Sequence, residues 1–538
     1  MCSALERTLI TLFLCASSWG VTAADRPNVV IIMTDNQSPS LLGTYGNPDI
    51  KTPNIDRLAH EGIQFSNAFS VNGVCSPTRA TLFTGLIPSQ HGVHNALPDR
   101  RMPAGRDMPE TWSAIQEFRT LPQTLSDAGY ATGLIGKFHL GTHEKPQLGF
   151  DYWVTFGSGH TMNFYDEEIF DNGKVYKEPG HMTDLWTRKA EEFISQQSED
   201  RPFFLFLSYN GPYMLPPVVL QEPNNPHVDY YRANPPAMPQ EPVHQNLINM
   251  AARYKYNKMM FKIGYGGWPN ILALNNQNAM INLASEMSTV DDGVGRVMQV
   301  LKEKGFDENT LVIFTSDQGS LYGQHGLWGN TSAWWPPTNY DEHNRVPLIF
   351  RHTGHIGAGK TSNFMVRQFD FMRTVLDYVE LDEINIANSP GQSFTEAIVN
   401  PSKQYEQPAV FYEFVTTRVI RTERWLYQKA FLIGEDVLYD LESDSEQRHN
   451  LVADVEYAEV VANLDLQLTT FFERYADPRY DLWKGGTAKQ RLFGRDDEIF
   501  SNEFPDWQKP SLGFDQTVFK DEQEDRNSNV VAPAIDAL

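Results

Sequence analysis

One cysteine lies in a segment whose residue types suit anion binding. The stretch from Gly73 to Gly85 reads GVCSPTRATLFTG, which predicts a short helix that begins near Cys75 and ends at Gly85. Free N–H groups at a helix N-terminus favour negative charge. Arg79 lies four residues beyond Cys75, on the same helix face, where a guanidinium can hold a tetrahedral oxyanion. The segment therefore predicts an anion site, with a buried structural cysteine as the alternative interpretation.

Four apolar runs end abruptly in polar residues, and each is predicted to be a buried strand. They cover Asn28–Met33, Ala131–Ile135, Phe203–Leu207 and Leu311–Thr315. Helical patterns at Leu121–Ala128 and Met280–Lys304 alternate with them. The alternation predicts an α/β fold, in which helices sandwich a large mixed, mostly parallel sheet. Ligands of such sheets bind at the carboxyl ends of the strands.

The polar residues that follow these strands are the candidate ligands and bases. In chain order they are Asp35, Asn36, Lys137, His139, Tyr213, Asp317 and Gln318. The two carboxylates and two amides form an all-oxygen set suited to Ca²⁺ or Mg²⁺, although each pair alone could be a strand cap. Lys137 and His139 are two apart, so an extended segment would place both side chains on one side.

The pattern changes after about residue 400. Closely spaced strand candidates and a following amphipathic helix predict a smaller antiparallel sheet packed with a helix. The candidates are Ala409–Phe414, Arg418–Arg421, Trp425–Phe431, Val437–Leu441 and the helix near Val455–Tyr475. We expect a catalytic domain over residues 25–390 and a smaller C-terminal α+β domain with an extended tail over 391–538. The proline-rich stretch 214–245 is predicted to be a long ordered loop near the site.

The N-terminal segment and the overall charge indicate where the protein acts and which partners it has. An apolar run from Thr8 to Trp19 follows Arg7, and small residues come after it, which predicts a cleaved signal peptide over residues 1–24. We therefore expect a secreted or periplasmic protein without stable membrane insertion. Cys75 would be the one cysteine of the mature chain. The net charge of −24 argues against nucleic acid as a partner.

The segment around Cys75 resembles the first signature of the sulfatase family, and GYATGLIGKFH, ending at His139, resembles the second. The resemblance runs from Pro27 to about Leu441. It implies a formylglycine-dependent (type I) sulfuric ester hydrolase with the alkaline-phosphatase-like fold. A formylglycine-generating maturation enzyme would convert Cys75 to 3-oxoalanine. The implied calcium ligands are the modified Cys75 together with Asp35, Asn36, Asp317 and Gln318.

The resemblance also implies a mechanism. One hydroxyl of the hydrated aldehyde attacks sulfur, so that the alcohol leaves and a sulfate ester remains on the enzyme. A base then takes the proton of the second hydroxyl, the aldehyde re-forms, and sulfate is expelled. In this scheme Arg79 and Lys137 contact the sulfate, and His139 supports the hydroxyl or takes its proton.

Two departures from the family pattern concern the leaving group. Many sulfatases carry histidine at the position of Tyr213, and often lysine at that of Pro336. A proton donor is wanted near the bridging oxygen. We predict that His325 takes this role and contacts substrate, with Tyr213 and His343 as the less favoured candidates.

Sulfated carbohydrate is the expected substrate. Because the negatively charged protein would bind a long polyanion weakly, we expect exo cleavage at a chain end. Two other functions stay open from the sequence. One is a phosphoester or phosphonate ester hydrolase of the same superfamily, and the other is a catalytically silent homologue that binds sulfated glycans. The aromatic group Trp328, Trp334 and Trp335 is either a sugar platform or part of the core.

Overall fold

The computed structural model describes residues 26–97, 108–216, 218–253, 268–381, 384 and 386–489. The predicted signal peptide and the tail beyond residue 489 lie outside the described residues. Within these ranges every helix is too short or too polar to cross a lipid bilayer.

Seventeen strands and thirteen α-helices make up the described structure. The strands are β1 (Asn28–Asp35), β2 (Ile63–Phe69), β3 (Ala131–Gly136), β4 (Tyr152–Phe156), β5 (Glu167–Asp171), β6 (Lys174–Glu178), β7 (Phe203–Pro212), β8 (Thr310–Ser316), β9 (Leu321–Tyr322), β10 (Trp328–Gly329), β11 (Arg345–Val346), β12 (Leu348–Arg351), β13 (Lys360–Arg367), β14 (Val410–Phe414), β15 (Thr417–Arg421), β16 (Trp425–Ala430) and β17 (Val437–Asp440). The helices are α1 (Pro53–His60), α2 (Cys75–Thr84), α3 (Pro88–His91), α4 (Leu121–Asp127), α5 (Met182–Ser195), α6 (Val228–Ala233), α7 (Gln245–Arg253), α8 (Trp268–Ala273), α9 (Gln277–Glu303), α10 (Asp341–Asn344), α11 (Phe371–Tyr378), α12 (Thr395–Val399) and α13 (Ala458–Tyr475).

An eleven-stranded mixed sheet forms the centre of the fold. Its strand order is β11-β2-β12-β8-β1-β7-β3-β4-β5-β6, and β13 pairs with β2. The strands β8, β1, β7, β3 and β4 are parallel to one another, and antiparallel strands flank them on both sides. The four buried strands predicted from apolar runs are all present in this parallel core. The predicted α/β class is therefore confirmed.

Alternate side chains of the central strands face two different helix layers, as strand geometry requires. On one face Val30 and Ile32 of β1 share a core with α5 and α9. On the other face Val29 and Ile31 share a core with α2 and α4. The sheet is thus covered on both sides, which is why its central strands read as continuous apolar runs. Their carboxyl ends leave the core together and position the site.

The predicted C-terminal sheet is also confirmed. Strands β14 to β17 form an antiparallel meander, and Leu464 and Leu468 of α13 pack on Ile420 and Leu438 of the sheet. Phe394, just before α12, packs in the core of the large sheet. The predicted domain boundary at residue 390 stays a prediction.

The stretch 214–245 differs from the predicted loop because it contains helix α6. Tyr231 of this helix is buried, and its hydroxyl lies 2.6 Å from Ser288 Oγ and accepts a hydrogen bond from the Lys51 backbone N–H at 2.8 Å. These long-range contacts hold a helix that the local proline content does not indicate.

Candidate functional site

Cys75 is the first residue of α2, which ends at Gly85 in the left-handed conformation with φ 66°. The helix therefore begins and ends where the sequence predicts. Cys75 is buried, with Sγ 3.5 Å from Asp35 Oδ1 and 3.2 Å from Gln318 Nε2. The N-terminus of α2 thus meets the carboxyl ends of β1 and β8 at one sulfur atom.

Two buried carboxylates and two buried cations surround this sulfur. The Arg79 guanidinium donates from Nε and Nη2 to Asp317 Oδ2, at 3.0 and 2.8 Å. Its Nη1 donates to the Lys137 carbonyl and to Ser208 Oγ, each at 2.8 Å. Lys137 Nζ donates to Asp35 Oδ2 at 2.5 Å. All four charged side chains are at most 1% exposed, so each charge depends on its partner for compensation.

The protonation of these groups follows from burial and from their neighbours. Burial raises the pKa of Asp35 to about 7, which Lys137 opposes and Asp317 reinforces. Burial, with the Asp35 charge, raises the pKa of the Cys75 thiol to about 12. Although burial alone would lower the pKa of Lys137, the charge of Asp35 raises it above its ordinary value. At neutral pH an unmodified Cys75 is therefore a neutral thiol and a poor nucleophile.

The candidate metal ligands lie together. One ligand atom from each of Asp35, Cys75 and Asp317 falls within 4.8 Å of the other two. Asn36 has φ 59°, and its Oδ1 accepts hydrogen bonds from Gln318 Nε2 at 2.7 Å and from Asn330 Nδ2 at 3.0 Å. Two carboxylates with amide oxygens beside them are hard donors, so the residues fit Ca²⁺ or Mg²⁺.

Asn330 is a site residue that the sequence does not identify. It is buried, and it precedes a short turn that follows β10. It follows the two-residue strand β10, which is too short to show as an apolar run in the sequence.

His139 lies at the edge of the same group. Its φ of 53° lies in the left-handed region, so the predicted extended conformation does not hold at His139 itself. The His139 carbonyl accepts a hydrogen bond from Ser76 Oγ at 3.0 Å. Nε2 lies 3.1 Å from the Leu97 carbonyl, and Nδ1 is buried without a hydrogen-bond partner among the described residues. Burial lowers the pKa of His139 well below its ordinary value, so the ring is neutral at pH 7.

Tyr213 follows β7 and contributes an aromatic wall. Its ring centroid lies 5.4 Å from Lys137 Nζ, and its hydroxyl lies 3.4 Å from His160 Nδ1. The His160 ring in turn packs edge-on against His139 at 4.9 Å. His160 was not identified from the sequence, since it lies in a loop between β4 and β5 without a motif.

The described interactions of His325 include those with Tyr340 and Arg448, and none is with Cys75 or its partners. Its ring stacks on Tyr340 at 3.7 Å, and burial, with the charge of Arg448, lowers its pKa to about 4. His343 is buried, and its Nδ1 accepts a hydrogen bond from the Tyr340 N–H at 3.2 Å. The role of His325 as acid and substrate contact stays a prediction.

The tryptophan group is largely core. Trp328 and Trp334 are fully buried, and Trp328 Nε1 donates to the Met214 carbonyl at 2.8 Å. Of the two interpretations, the structure supports core packing for these two residues.

Comparison with known families gives two matches. The family described as Sulfatase matches residues 27–381. The family described as N-sulphoglucosamine sulphohydrolase, C-terminal, matches residues 332–474. The first match covers more than half of the chain. It includes Cys75 and the four buried charged residues around it, Asp35, Arg79, Lys137 and Asp317.

Among curated proteins, the chain is 27% identical to the N-acetylglucosamine-6-O-sulfatase of Bacteroides thetaiotaomicron, over 84% of this chain and 87% of the relative. It is 26% identical to the N-acetylgalactosamine-6-sulfatase of Sus scrofa, over 76% and 73% of the two chains.

A solved structure with D-glucosamine-2-N,6-O-disulfate bound as substrate is 25% identical, with a TM-score of 0.66, over 84% of this chain and 98% of the other. The phosphonate monoester hydrolase of Agrobacterium radiobacter shares the fold, with 21% identity, a TM-score of 0.63 and coverage of 84% and 97%.

Proposed function

The chain belongs to the sulfatase family, and from this premise we propose that it is an exported enzyme that hydrolyses sulfate esters of sugars through a formylglycine made from Cys75. The observation that carries the proposal is the position of Cys75 at the N-terminus of α2, 3.5 Å from Asp35 Oδ1 and beside two buried cations. Burial raises the pKa of the unmodified thiol, which would therefore be a weak nucleophile, so the proposed chemistry requires the modified side chain.

The side chains around Cys75 are proposed to bind the sulfate and to transfer protons. Arg79 and Lys137 supply the positive charge that holds the sulfate oxygens, and their present partners, Asp317 and Asp35, orient them. We assign to His139 the proton that must leave the nucleophile, because its Nδ1 is buried without a hydrogen-bond partner among the described residues. Besides the predicted His325, we propose His160 and Tyr213 as proton donors for the leaving alcohol, since the His160 ring packs on His139 and its Nδ1 lies 3.4 Å from the Tyr213 hydroxyl.

A divalent cation would be held by Asp35, Asn36, Asp317 and Gln318, together with the modified Cys75. We propose Ca²⁺, which the oxygen donor set suits. When bound, the cation neutralises sulfate charge and lowers the pKa of the attacking hydroxyl. Asn330 supports this set by fixing the amide of Asn36.

Sulfated carbohydrate is the proposed substrate class. Two of the relatives are named N-acetylglucosamine-6-O-sulfatase and N-acetylgalactosamine-6-sulfatase, and one related structure holds a sulfated glucosamine. The acidic body of this chain offers little general attraction to a long polyanion, which supports exo action on a chain end. The predicted signal peptide supports export to the periplasm or the medium.

The test compares matched sulfate monoesters, phosphate monoesters and phosphonate monoesters. Protein co-expressed with a maturation enzyme is expected to release sulfate from sulfated hexosamines, with a kcat/KM at least about 10³-fold above that for the phosphorus analogues. Faster turnover of the phosphorus esters would assign the phosphohydrolase function instead. Binding of sulfated sugar without any turnover by the matured protein would indicate a silent glycan-binding homologue.

A further inference from the structure

Ser76, the residue after Cys75, contacts two chain segments that meet at His139. Its side chain is buried, and Oγ donates a hydrogen bond to the His139 carbonyl at 3.0 Å. The same Oγ accepts a hydrogen bond from the Leu97 N–H, also at 3.0 Å. One hydroxyl group of α2, acting once as donor and once as acceptor, therefore fixes the backbone of both His139 and Leu97.

The His139 side chain closes this arrangement into a cycle of three hydrogen bonds. Its Nε2 lies 3.1 Å from the Leu97 carbonyl oxygen. A carbonyl can only accept, so this bond requires the proton on Nε2. Because the ring is neutral at pH 7, it carries a single proton, and Nδ1 is left unprotonated. Nδ1 is thus an acceptor that is buried without a hydrogen-bond partner among the described residues.

The His139 ring is also closely packed. A Cβ atom at Gly159 would lie 1.8 Å from His139 Cδ2, so the Gly159 backbone leaves this edge of the ring no room to move. The His160 ring packs edge-on against His139, with centroids 4.9 Å apart. His139 has φ 53°, which is uncommon for residues other than glycine, and its carbonyl is the group that Ser76 holds. The direction of Nδ1 therefore depends on a backbone conformation that α2 helps to fix.

Resting on the proposed function, in which His139 takes the proton of the nucleophile, we propose that Ser76 is the positioning residue for this base. Its hydroxyl ties His139 and Leu97 to the start of the helix that carries the nucleophile. The proton donor and the proton acceptor are then held by one rigid element, and the Leu97 carbonyl keeps Nδ1 as the accepting atom. Ser76 acts through His139 and not on the substrate itself.

The first test is the steady-state kinetics of Ser76→Ala after maturation. The change lies beside Cys75, so rates are expressed per converted chain, counted by mass spectrometry of the peptide that contains Cys75. We expect kcat for a sulfated hexosamine to fall about 10- to 100-fold, with KM within about threefold of wild type. A displaced base slows the chemical step, whereas the sulfate contacts of Arg79 and Lys137 remain.

A matched control and a second background separate positioning from a general loss of packing. Ser288→Ala removes a buried hydroxyl of α9 that donates to the Lys51 carbonyl at 2.8 Å, on the opposite face of the sheet, and is expected to leave kcat within about twofold of wild type. In the His139→Gln background, Ser76→Ala should lower kcat by less than about twofold, since its effect passes through His139. An equal loss in both backgrounds, or a kcat for Ser76→Ala as high as that of Ser288→Ala, would overturn the proposal.

The tautomer of His139 is measured without turnover, by ¹⁵N NMR of protein labelled at histidine. Its signals are identified by their loss in His139→Gln. We expect the proton of the neutral ring on Nε2, and a proton on Nδ1 would overturn the proposal even if sulfate is released. Matured wild-type protein that releases sulfate neither from sulfated hexosamines nor from an aryl sulfate would overturn the proposed function, and the role of Ser76 in it, whatever the tautomer.

Discussion

The pair formed by Lys137 and Asp35 provides a stability test of the charge arrangement, independent of turnover. In metal-free protein the two carboxylates, Asp35 and Asp317, are balanced by Lys137 and Arg79, and all four are buried. Lys137→Met keeps most of the side-chain volume and removes one positive charge. Breaking a fully buried pair by removing one partner costs about 3–5 kcal/mol of unfolding free energy.

The pH dependence of this loss has a defined sign. The pKa of Asp35 is already raised to about 7, and Lys137 opposes the rise, so Lys137→Met moves it higher. A carboxyl group whose folded pKa lies above its unfolded value loses stability as pH rises between the two values. The variant therefore differs more from wild type at pH 8.5 than at pH 6.

The assay is denaturant unfolding in the presence of a chelator at both pH values. The double variant Lys137→Met/Asp35→Asn removes the uncompensated charge as well, and it is expected to recover most of the loss. A single variant within about 1 kcal/mol of wild type at pH 8.5, or a double variant no more stable than the single one, would refute the compensation argument.

Three further predictions concern individual residues. His160→Gln is expected to lower kcat about 10²-fold for a sulfated sugar but little for a nitrophenyl sulfate, whose leaving group needs no proton; a larger selective loss in His325→Gln would assign the acid to His325. Burial lowers the pKa of His343 to about 3, so the unfolding free energy of the wild-type protein should fall as pH drops below 6.5. His343→Gln should weaken this pH dependence in urea titrations; the same pH dependence in both proteins would contradict the prediction. Asn36→Asp should raise Ca²⁺ affinity about tenfold in titration calorimetry, since it adds a carboxylate ligand, and weaker binding would argue against this donor set.

The sequence predicts the parallel core and its site residues well because both depend on local pattern. Each central strand is buried on both faces, so an apolar run followed by a polar residue marks its carboxyl end directly. Asp35 and Asp317 are found this way, and the start of α2 at Cys75 follows from its flanking residues. The second signature at Lys137 lies at such a strand end too.

The rest of the site is assembled by contacts that leave no local pattern. His160 and Asn330 lie in loops. His160 contacts the site through Tyr213 and His139, and Asn330 contacts it through Asn36. The left-handed conformation of His139, whose carbonyl accepts a hydrogen bond from a residue of α2, also leaves no mark in the local pattern.

The account depends most directly on Cys75 as the group that receives sulfur. The decisive measurement is the initial rate of sulfate release from the best sulfated sugar by Cys75→Ala, beside wild-type protein matured in the same host. We expect the variant to be slower by at least about 10⁴-fold, since it lacks the nucleophile while the charged pairs around it remain. Equal rates for the two proteins would contradict the proposed chemistry.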